Sequence, residues 1–283
     1  MVLLCRYGEI GLKGKNRIFF ERKLQENMQF ALKQHQLQGT IKRIDARFLV
    51  FCKQEHEALQ ALQKVFGLTS ISTALITPLE YTIIEQAIQQ LLEGKKFSTF
   101  GIQASRARKL FHSSQEIETE LGRFVQERFQ KKVQLDNPDL TLFVEIMDQA
   151  YLTTERIACF GGLPTGIEGK VLALLDSEES VFAAWLLMKR GCYIIPVALD
   201  GQKPVDITLL QNFYCTEKVR KAKDCKALLE IAREQRCQAM VTGQMLEQYQ
   251  DLPVPLIIFR PLIAFEKETI KKRMEELYAV ASC

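Results

Sequence analysis

Three short stretches combine residue types that do chemistry. Asp176-Ser-Glu-Glu-Ser180 places three carboxylates and two hydroxyls between an apolar run, Val171–Leu175, and a helix-patterned segment that includes Ala183, Ala184 and Leu187. At a strand-to-helix junction such residues cap the helix, through Asp176 or Ser177, and Glu178 and Glu179 suit its positive end. The competing use is a magnesium ion bridging the acids to a phosphate group. Ser105-Arg-Ala-Arg-Lys109 puts three cations after an apolar strand, and Lys13, Lys15 and Arg17 lie among Gly8, Gly11 and Gly14. Cations on flexible backbone suit a polyanion, because glycines permit close approach. Phe111 and His112 could stack on a base, although Phe111 reads first as a core anchor.

The cysteines at 5, 52, 159, 192, 215, 225, 237 and 283 form no Cys-x-x-Cys pair, which argues against a zinc ribbon or a paired-cysteine redox site. Residues 1–74 carry twelve Lys/Arg against six Asp/Glu, while residues 163–283 carry sixteen of each. The excess positive charge is therefore N-terminal, although the 283-residue chain carries only +4 overall. No apolar run approaches the roughly 18 residues of a membrane span. Met1–Arg6 is too short for a signal-peptide core, so a cytoplasmic protein is expected.

The elements that position these residues follow from hydrophobic period. Val2–Tyr7, a helix from about Phe19 to Leu32, a hairpin of Thr40–Asp45 and Arg47–Cys52, a helix Ala58–Phe66 and a strand Ile71–Thr77 give a β-α-β-β-α-β, ferredoxin-like order. A helix Ile83–Leu92, a strand Phe100–Ala104, a helix opened by the capping-box pair Ser113 and Glu116, and strands Leu140–Ile146 and Tyr151–Ile157 follow. Gly161–Gly169, with four glycines and Pro164, reads as a linker. Beyond it, alternating strands and helices predict an α/β region with a parallel sheet, including one long helix over Val219–Arg236 that carries Lys218, Arg220, Lys221, Lys223 and Lys226 around its circumference. The domains read as 1–76, 77–162 and 163–283.

Several of these stretches together carry a resemblance. Tyr7-Gly-Glu-Ile-Gly-Leu-Lys-Gly-Lys-Asn-Arg17 is similar to the N-terminal signature of the tRNA 4-thiouridine synthases, the ThiI family. Phe100-Gly-Ile-Gln-Ala104, Arg108-Lys-Leu-Phe111, Ser114, Glu120-Leu-Gly122 and Asn137-Pro-Asp139 resemble its THUMP domain, and Gly161–Lys170 its linker. Val171–Leu175, Ala183-Ala-Trp185, Met188–Gly191, Val241-Thr-Gly243 and Arg260-Pro-Leu262 resemble marks of its ATP-pyrophosphatase (PP-loop) domain. The resemblance implies a ferredoxin-like domain, a THUMP domain and a parallel α/β domain. It implies a reaction in which ATP adenylates uridine 8 of tRNA and a cysteine persulfide delivers sulfur. It also implies a grip on the acceptor stem and 3′ end of tRNA by the first two domains, with Lys13, Lys15, Arg17, Arg106, Arg108 and Lys109 at the matching positions. Many bacterial relatives add a rhodanese domain, for which this chain ends too early.

The departures fall in the third region. The family loop Ser-Gly-Gly-x-Asp-Ser is here Asp176, Ser177, Glu178, Glu179 and Ser180, one residue shorter and without glycine. The segment from Gly191 to Thr242 is shorter than in the family, and the loop after Thr242-Gly243 is altered. Cys283 alone follows Arg260-Pro-Leu262 as a candidate persulfide carrier, at the very end of the chain, while Cys215, Cys225 and Cys237 read as structural. The expectation is a tRNA-binding ThiI-like protein with a degenerate, shortened PP-loop domain that does not adenylate tRNA alone and needs no cofactor. The alternative is an active synthase using ATP and magnesium. A homodimer, as in relatives, and a catalytic or sulfur-donor partner protein complete the expected partners; a membrane does not figure among them.

Overall fold

Residues 1–108 and 111–281 are described by the computed structural model. The chain divides into two compact units: Met1–Tyr7, His35–Leu59 and Thr69–Ala158 form the first, and Gly8–Gln34, Gln60–Leu68 and the chain from Cys159 onward form the second. In chain order the elements are β1 (Val2–Tyr7), α1 (Arg17–Gln34), β2 (Gly39–Ile44), β3 (Arg47–Cys52), α2 (Glu55–Gln63) and β4 (Leu68–Thr77). Next come α3 (Tyr81–Leu92), β5 (Thr99–Arg106), α4 (Ser114–Phe129), β6 (Lys132–Val133), β7 (Leu140–Ile146), β8 (Ala150–Thr153) and β9 (Ile157–Ala158). The last group is β10 (Lys170–Leu174), α5 (Glu178–Lys189), β11 (Tyr193–Leu199), α6 (Thr208–Asn212), β12 (Arg220–Ala222), α7 (Cys225–Gln235), β13 (Ala239–Val241), β14 (Ile257–Phe259) and α8 (Lys267–Ala281).

The first unit is built on a single nine-stranded sheet in the order β2-β3-β1-β4-β8-β7-β5-β6, with β9 paired to β4. Its first four strands keep the ferredoxin-like order, and antiparallel pairing of β4 with β8, Leu75 opposite Leu152, joins them to the strands that follow. Helix α4 opens as its sequence predicts. Ser113 Oγ accepts the Glu116 N–H and Glu116 accepts the Ser113 N–H, which settles two of the amide groups a helix start leaves unpaired. Its buried face, Ile117, Leu121 and Val125, packs with Ile84 and Ile88 of α3 on Phe100, Leu142 and Val144. Asp139 accepts the N–H groups of Ser98 (2.8 Å) and Thr99 (2.9 Å). The Asn137-Pro-Asp139 stretch thereby ties the start of β5 to the start of β7.

In the second unit five parallel strands run in the order β12-β11-β10-β13-β14. Residues alternate faces along β10, as strand geometry requires. Val171 and Ala173 join one core with α5, α6 and α8, while Leu172 and Leu174 join another with Leu228 and Ala232 of α7. Burying a leucine of this kind stabilises the fold by roughly 1.5–3 kcal/mol.

Two local expectations need correction. The segment expected as one helix over Val219–Arg236 is instead the edge strand β12 followed by α7, whose N-cap Asp224 accepts the Ala227 N–H at 2.8 Å. Lys218, Arg220, Lys221 and Lys223 therefore lie on an edge strand and its flanks and do not wrap a helix. Charge on a short edge strand discourages pairing with another chain, and it also hides the strand from pattern reading. The glycine stretch 161–169 is not a free linker. Gly161 N–H donates to Leu68 O and Gly67 N–H to Gly161 O (both 2.8 Å), and Leu163 N–H donates to Lys189 O at 2.9 Å. A Cβ on Gly162 would lie 2.2 Å from Lys189 O, and its φ is +78°, so both sterics and backbone conformation call for glycine there. Among the described residues no helix is long and apolar enough to cross a membrane.

Candidate nucleic-acid interface and the strand–helix crevice

Strand β10 lies in the middle of the parallel sheet, with β11 on one side and β13 on the other. The chain leaves it toward α5 where the strand order reverses, the place where open α/β sheets hold ligands. There the five expected loop residues come together as a helix cap. Ser177 is the N-cap, and its Oγ accepts the Ser180 N–H at 3.3 Å. Ser180, almost fully buried, accepts the N–H groups of Asp176 (3.1 Å) and Ser177 (3.2 Å) on its own Oγ and donates to Ser177 O at 2.6 Å. Asp176 and Glu178 are exposed, and Glu178 and Glu179 occupy the first helical turn. Gly243, just past β13, presses on this turn: a Cβ there would lie 2.4 Å from Ser180 N and 2.6 Å from Ser180 Cα. Beside it Thr242 is 1% exposed and its Oγ1 has no hydrogen-bond partner among the described residues. Arg260, from the Arg-Pro-Leu stretch, donates to Gln244 Oε1 at 2.9 Å.

The basic candidates fall in both units. In the second, Lys13 links two short 3₁₀ turns, Glu9–Leu12 and Gly14–Asn16, the latter opened by Gly14 at φ +51°; Lys15 lies in the second turn and Arg17 starts α1. Lys13 lies 4.6 Å over the Phe20 ring and 3.9 Å from Glu168, and Arg17 is paired to Glu21 at 2.8 Å. Lys15 is exposed, as are Leu12, Ile18 and Phe19. Exposed apolar groups among cations suit stacked bases and phosphate together, a signal that reading for charge alone passed over. In the first unit Arg106 closes β5 and does not follow it, and Arg108 pairs with Asp45 at 2.9 Å. Phe111 packs 4.9 Å from Tyr81 as a part of the core, while His112 is exposed. Lys109 and Cys283 lie outside the described residues.

Sequence reading missed a further feature of the first unit. Glu145, 3% exposed on β7, accepts hydrogen bonds from Arg6 on β1, from Arg47 on β3 (2.8 Å) and from Arg156 (3.2 Å). Arg6, 6% exposed, also donates to Ser72 Oγ at 2.8 Å, and its Nη2 has no partner among the described residues. Burial works to raise the Glu145 pKa, but the guanidiniums of Arg6 and Arg47 outweigh it and hold the carboxyl below its usual range. A cavity of about 200 Å³ opens beside this centre, lined by Arg47, Arg106 and Glu145. Thus Arg106 shares a pocket with an arginine from the ferredoxin-like strands. The available clue was one charged residue inside each of two otherwise apolar strands, Val2–Tyr7 and Leu140–Ile146.

A family model for the ThiI ferredoxin-like domain matches residues 2–72, and one for the THUMP domain matches residues 81–155. A probable tRNA sulfurtransferase of Caldanaerobacter subterraneus subsp. tengcongensis is 33% identical, over 95% of this chain and 83% of its own length. The chain belongs to the tRNA sulfurtransferase (ThiI) family. Another ThiI relative, a probable tRNA sulfurtransferase of Thermococcus kodakarensis, is 30% identical over 95% of this chain and 85% of its own. Among solved structures, PH1313 from Pyrococcus horikoshii Ot3 superposes with a TM-score of 0.86 at 29% identity, covering 98% of this chain and 99% of that one. A 4-thiouridine synthetase solved with RNA and bound ATP gives a TM-score of 0.77 at 26% identity, covering 99% and 86%.

Among the described residues of this ThiI-family chain no group of three or more metal-ligating side chains is found. Burial pushes the Cys192 thiol up to about 11 and the Cys159 thiol up to about 12, and it raises those of Cys215 and Cys237. Thiols held this way are poor nucleophiles.

Proposed function

We propose that this ThiI-family protein binds the acceptor stem and 3′ end of tRNA through its ferredoxin-like and THUMP regions, works in 4-thiouridine formation at position 8 in the cytoplasm, and does not adenylate tRNA by itself. The observation that carries the second half of the proposal is the hydrogen bonding of the loop. The N–H groups of Asp176 and Ser177, which would face a phosphate, are turned onto Ser180 Oγ. The loop has no glycine, and Asp176, Glu178 and Glu179 put three carboxylates at the mouth. Two unit charges about 5 Å apart at an effective dielectric near 20 repel by roughly 3 kcal/mol, so these residues do not fit a triphosphate cradle. The alignment with the Caldanaerobacter relative spans 318 positions over 95% of this 283-residue chain, so the relative carries residues that this chain lacks. On this reading a partner protein supplies adenylation and sulfur.

One observation favours a second reading, an active sulfurtransferase. Thr242 keeps a buried, unpartnered hydroxyl in the same crevice, and a ligand oxygen would satisfy it. In that case magnesium held by Asp176, Glu178 and Glu179 would offset their repulsion of ATP. Release of pyrophosphate from ATP by the purified protein with tRNA and magnesium separates the two readings. Binding of tRNA without tRNA-dependent release is the expected result, and release would establish the second reading.

A further inference from the structure

The two edges of the parallel sheet in the second unit are finished differently. At one edge Arg220 and Lys221 lie on β12, and Lys218 and Lys223 flank it. At the other edge β14, Ile257-Ile258-Phe259, carries no charge. Its alternation begins before the strand itself. Leu252, Val254, Leu256 and Ile258 turn onto the core that holds Leu228 and Ala232 of α7, whereas Pro253, Pro255, Ile257 and Phe259 are all exposed. The outward side chains form an apolar row, one at every second residue.

This row lies on the face of the sheet that α5 covers at the neighbouring strand. Ile257 is in register with Ala239 of β13, and Phe259 with Val241. Both β13 residues are buried in one core with Val181 and Ala184 of α5. Ile257 is nonetheless 68% exposed and Phe259 42%, and neither joins that core. Parallel sheets have helices over both faces, so among the described residues this helix layer stops one strand short. The patch continues past the strand. Arg260 donates to Gln244 Oε1 and to Gln250 O and lies 4.7 Å over the Tyr249 ring, which holds the 3₁₀ turn Leu246–Gln248 near the end of β14. Leu246 and Tyr249 are exposed there.

Three features define what fits. Pro253, Pro255 and Pro261 have no N–H, and prolines on a free edge discourage strand pairing. The open surface is therefore the face, which takes an amphipathic helix. Its rim is acidic: across residues 244–260 the charges are Glu247, Asp251 and Arg260, and Arg260 is already turned onto Tyr249, Gln244 and Gln250. A second copy meeting this patch across a two-fold axis would bring Glu247 and Asp251 against their own kind, whereas a helix flanked by lysine or arginine complements them. The patch also begins at the lip of the strand–helix crevice, since Leu246 follows by three residues the Gly243 that presses on Ser180.

We propose that Ile257, Phe259, Leu246 and Tyr249 form the docking surface for the partner protein that adenylates tRNA, which packs the apolar face of a basic-flanked helix onto β14 beside the closed loop. This inference rests on the division of labour proposed above.

Photo-crosslinking tests it, with p-benzoylphenylalanine in place of Leu246 in the full chain, irradiated in its own host cells. The same group in place of Leu135, exposed in the first unit, is the control. The expected result is one adduct at least fivefold above the control, joined through a helical segment with flanking lysine or arginine. The captured protein, purified and combined with the chain, tRNA and magnesium, should release pyrophosphate from ATP. Ile257→Asp combined with Phe259→Asp should lower both adduct and release at least fivefold, and Glu247→Lys combined with Asp251→Lys at least threefold. The substituted side chains are all exposed, and thermal unfolding and tRNA binding equal to those of the parent check that the variants fold. The proposal is overturned if no adduct exceeds the control, if the adduct joins two copies of this chain, if the captured protein releases no pyrophosphate with the chain, or if the Ile257→Asp, Phe259→Asp variant behaves as the parent does. Release by the chain alone would instead remove the division of labour, whereas a silent chain without an adduct would remove only the docking surface.

Discussion

At the end of β10 one serine hydroxyl takes two backbone N–H groups and returns its proton to a carbonyl, so the loop satisfies itself. Around Glu145 three guanidiniums share one carboxylate, and Arg6 Nη2 has no partner among the described residues. Both places lie where elements converge at the edge of an apolar core. The first has turned the N–H groups of its loop onto its own serine, although Thr242 Oγ1 beside it has no partner among the described residues, and an anion arriving at the loop would have to break those bonds. The second sets three guanidiniums against one carboxylate and keeps a guanidinium nitrogen without a partner among the described residues. Charge count alone would rank both as polar; the hydrogen-bond partners separate them.

The largest way to test this contrast is Glu145→Gln. It leaves three guanidiniums without a counter-charge, and breaking a buried pair in this way costs about 3–5 kcal/mol; urea unfolding of the full chain measures it. Because the folded Glu145 carboxyl lies below its usual range, its contribution is present above the unfolded value of about 4.3 and is lost as pH falls through the folded one. Stability should therefore drop below about pH 4, and Glu145→Gln should flatten that drop. Next in size, Arg106→Ala, Arg108→Ala and Lys109→Ala combined should weaken tRNA binding by about 3 kcal/mol in a filter-binding assay and lower the salt slope by roughly 1 for each phosphate left without its cation. Unchanged affinity in the folded variant would move the RNA-binding surface elsewhere.

Two smaller tests address the closed site. Gly243→Ala should destabilise by about 1–3 kcal/mol, since the new Cβ meets the Ser180 backbone and not the tip of a flexible side chain. Ser177→Ala should cost about 1 kcal/mol through loss of the helix cap. Calorimetric melting of each variant measures both. If Ser177→Ala left stability unchanged, the loop would not be held closed by its own cap.

Sequence alone carried the ferredoxin-like order, the cap at Ser113 and the apolar strand of β10, because each is a local pattern of period or spacing. It also placed a helix start at Asp176–Ser180, since hydroxyls and acids at that position have one common local use. It failed at β12, where three residues, two of them charged, give too little alternation to betray a strand, although Asp224 was a readable helix start. The Arg6–Glu145 pair joins residues 139 positions apart, and no local rule reaches that far. The left-handed backbone of Tyr214 (φ +69°) was equally hidden, since nothing in its neighbours demands a positive φ.

The glycine stretch 161–169 has a practical consequence. Its amides are engaged with Leu68, Lys189 and Gly191, and Gly162 sits against a carbonyl with no room for a side chain. Proteases cut where backbone can be pulled into an extended strand, which usually means exposed loop tips. A stretch that composition marks as the softest in the chain should therefore be among the last to be nicked, and a fusion or domain split placed there would tear hydrogen-bonded backbone apart.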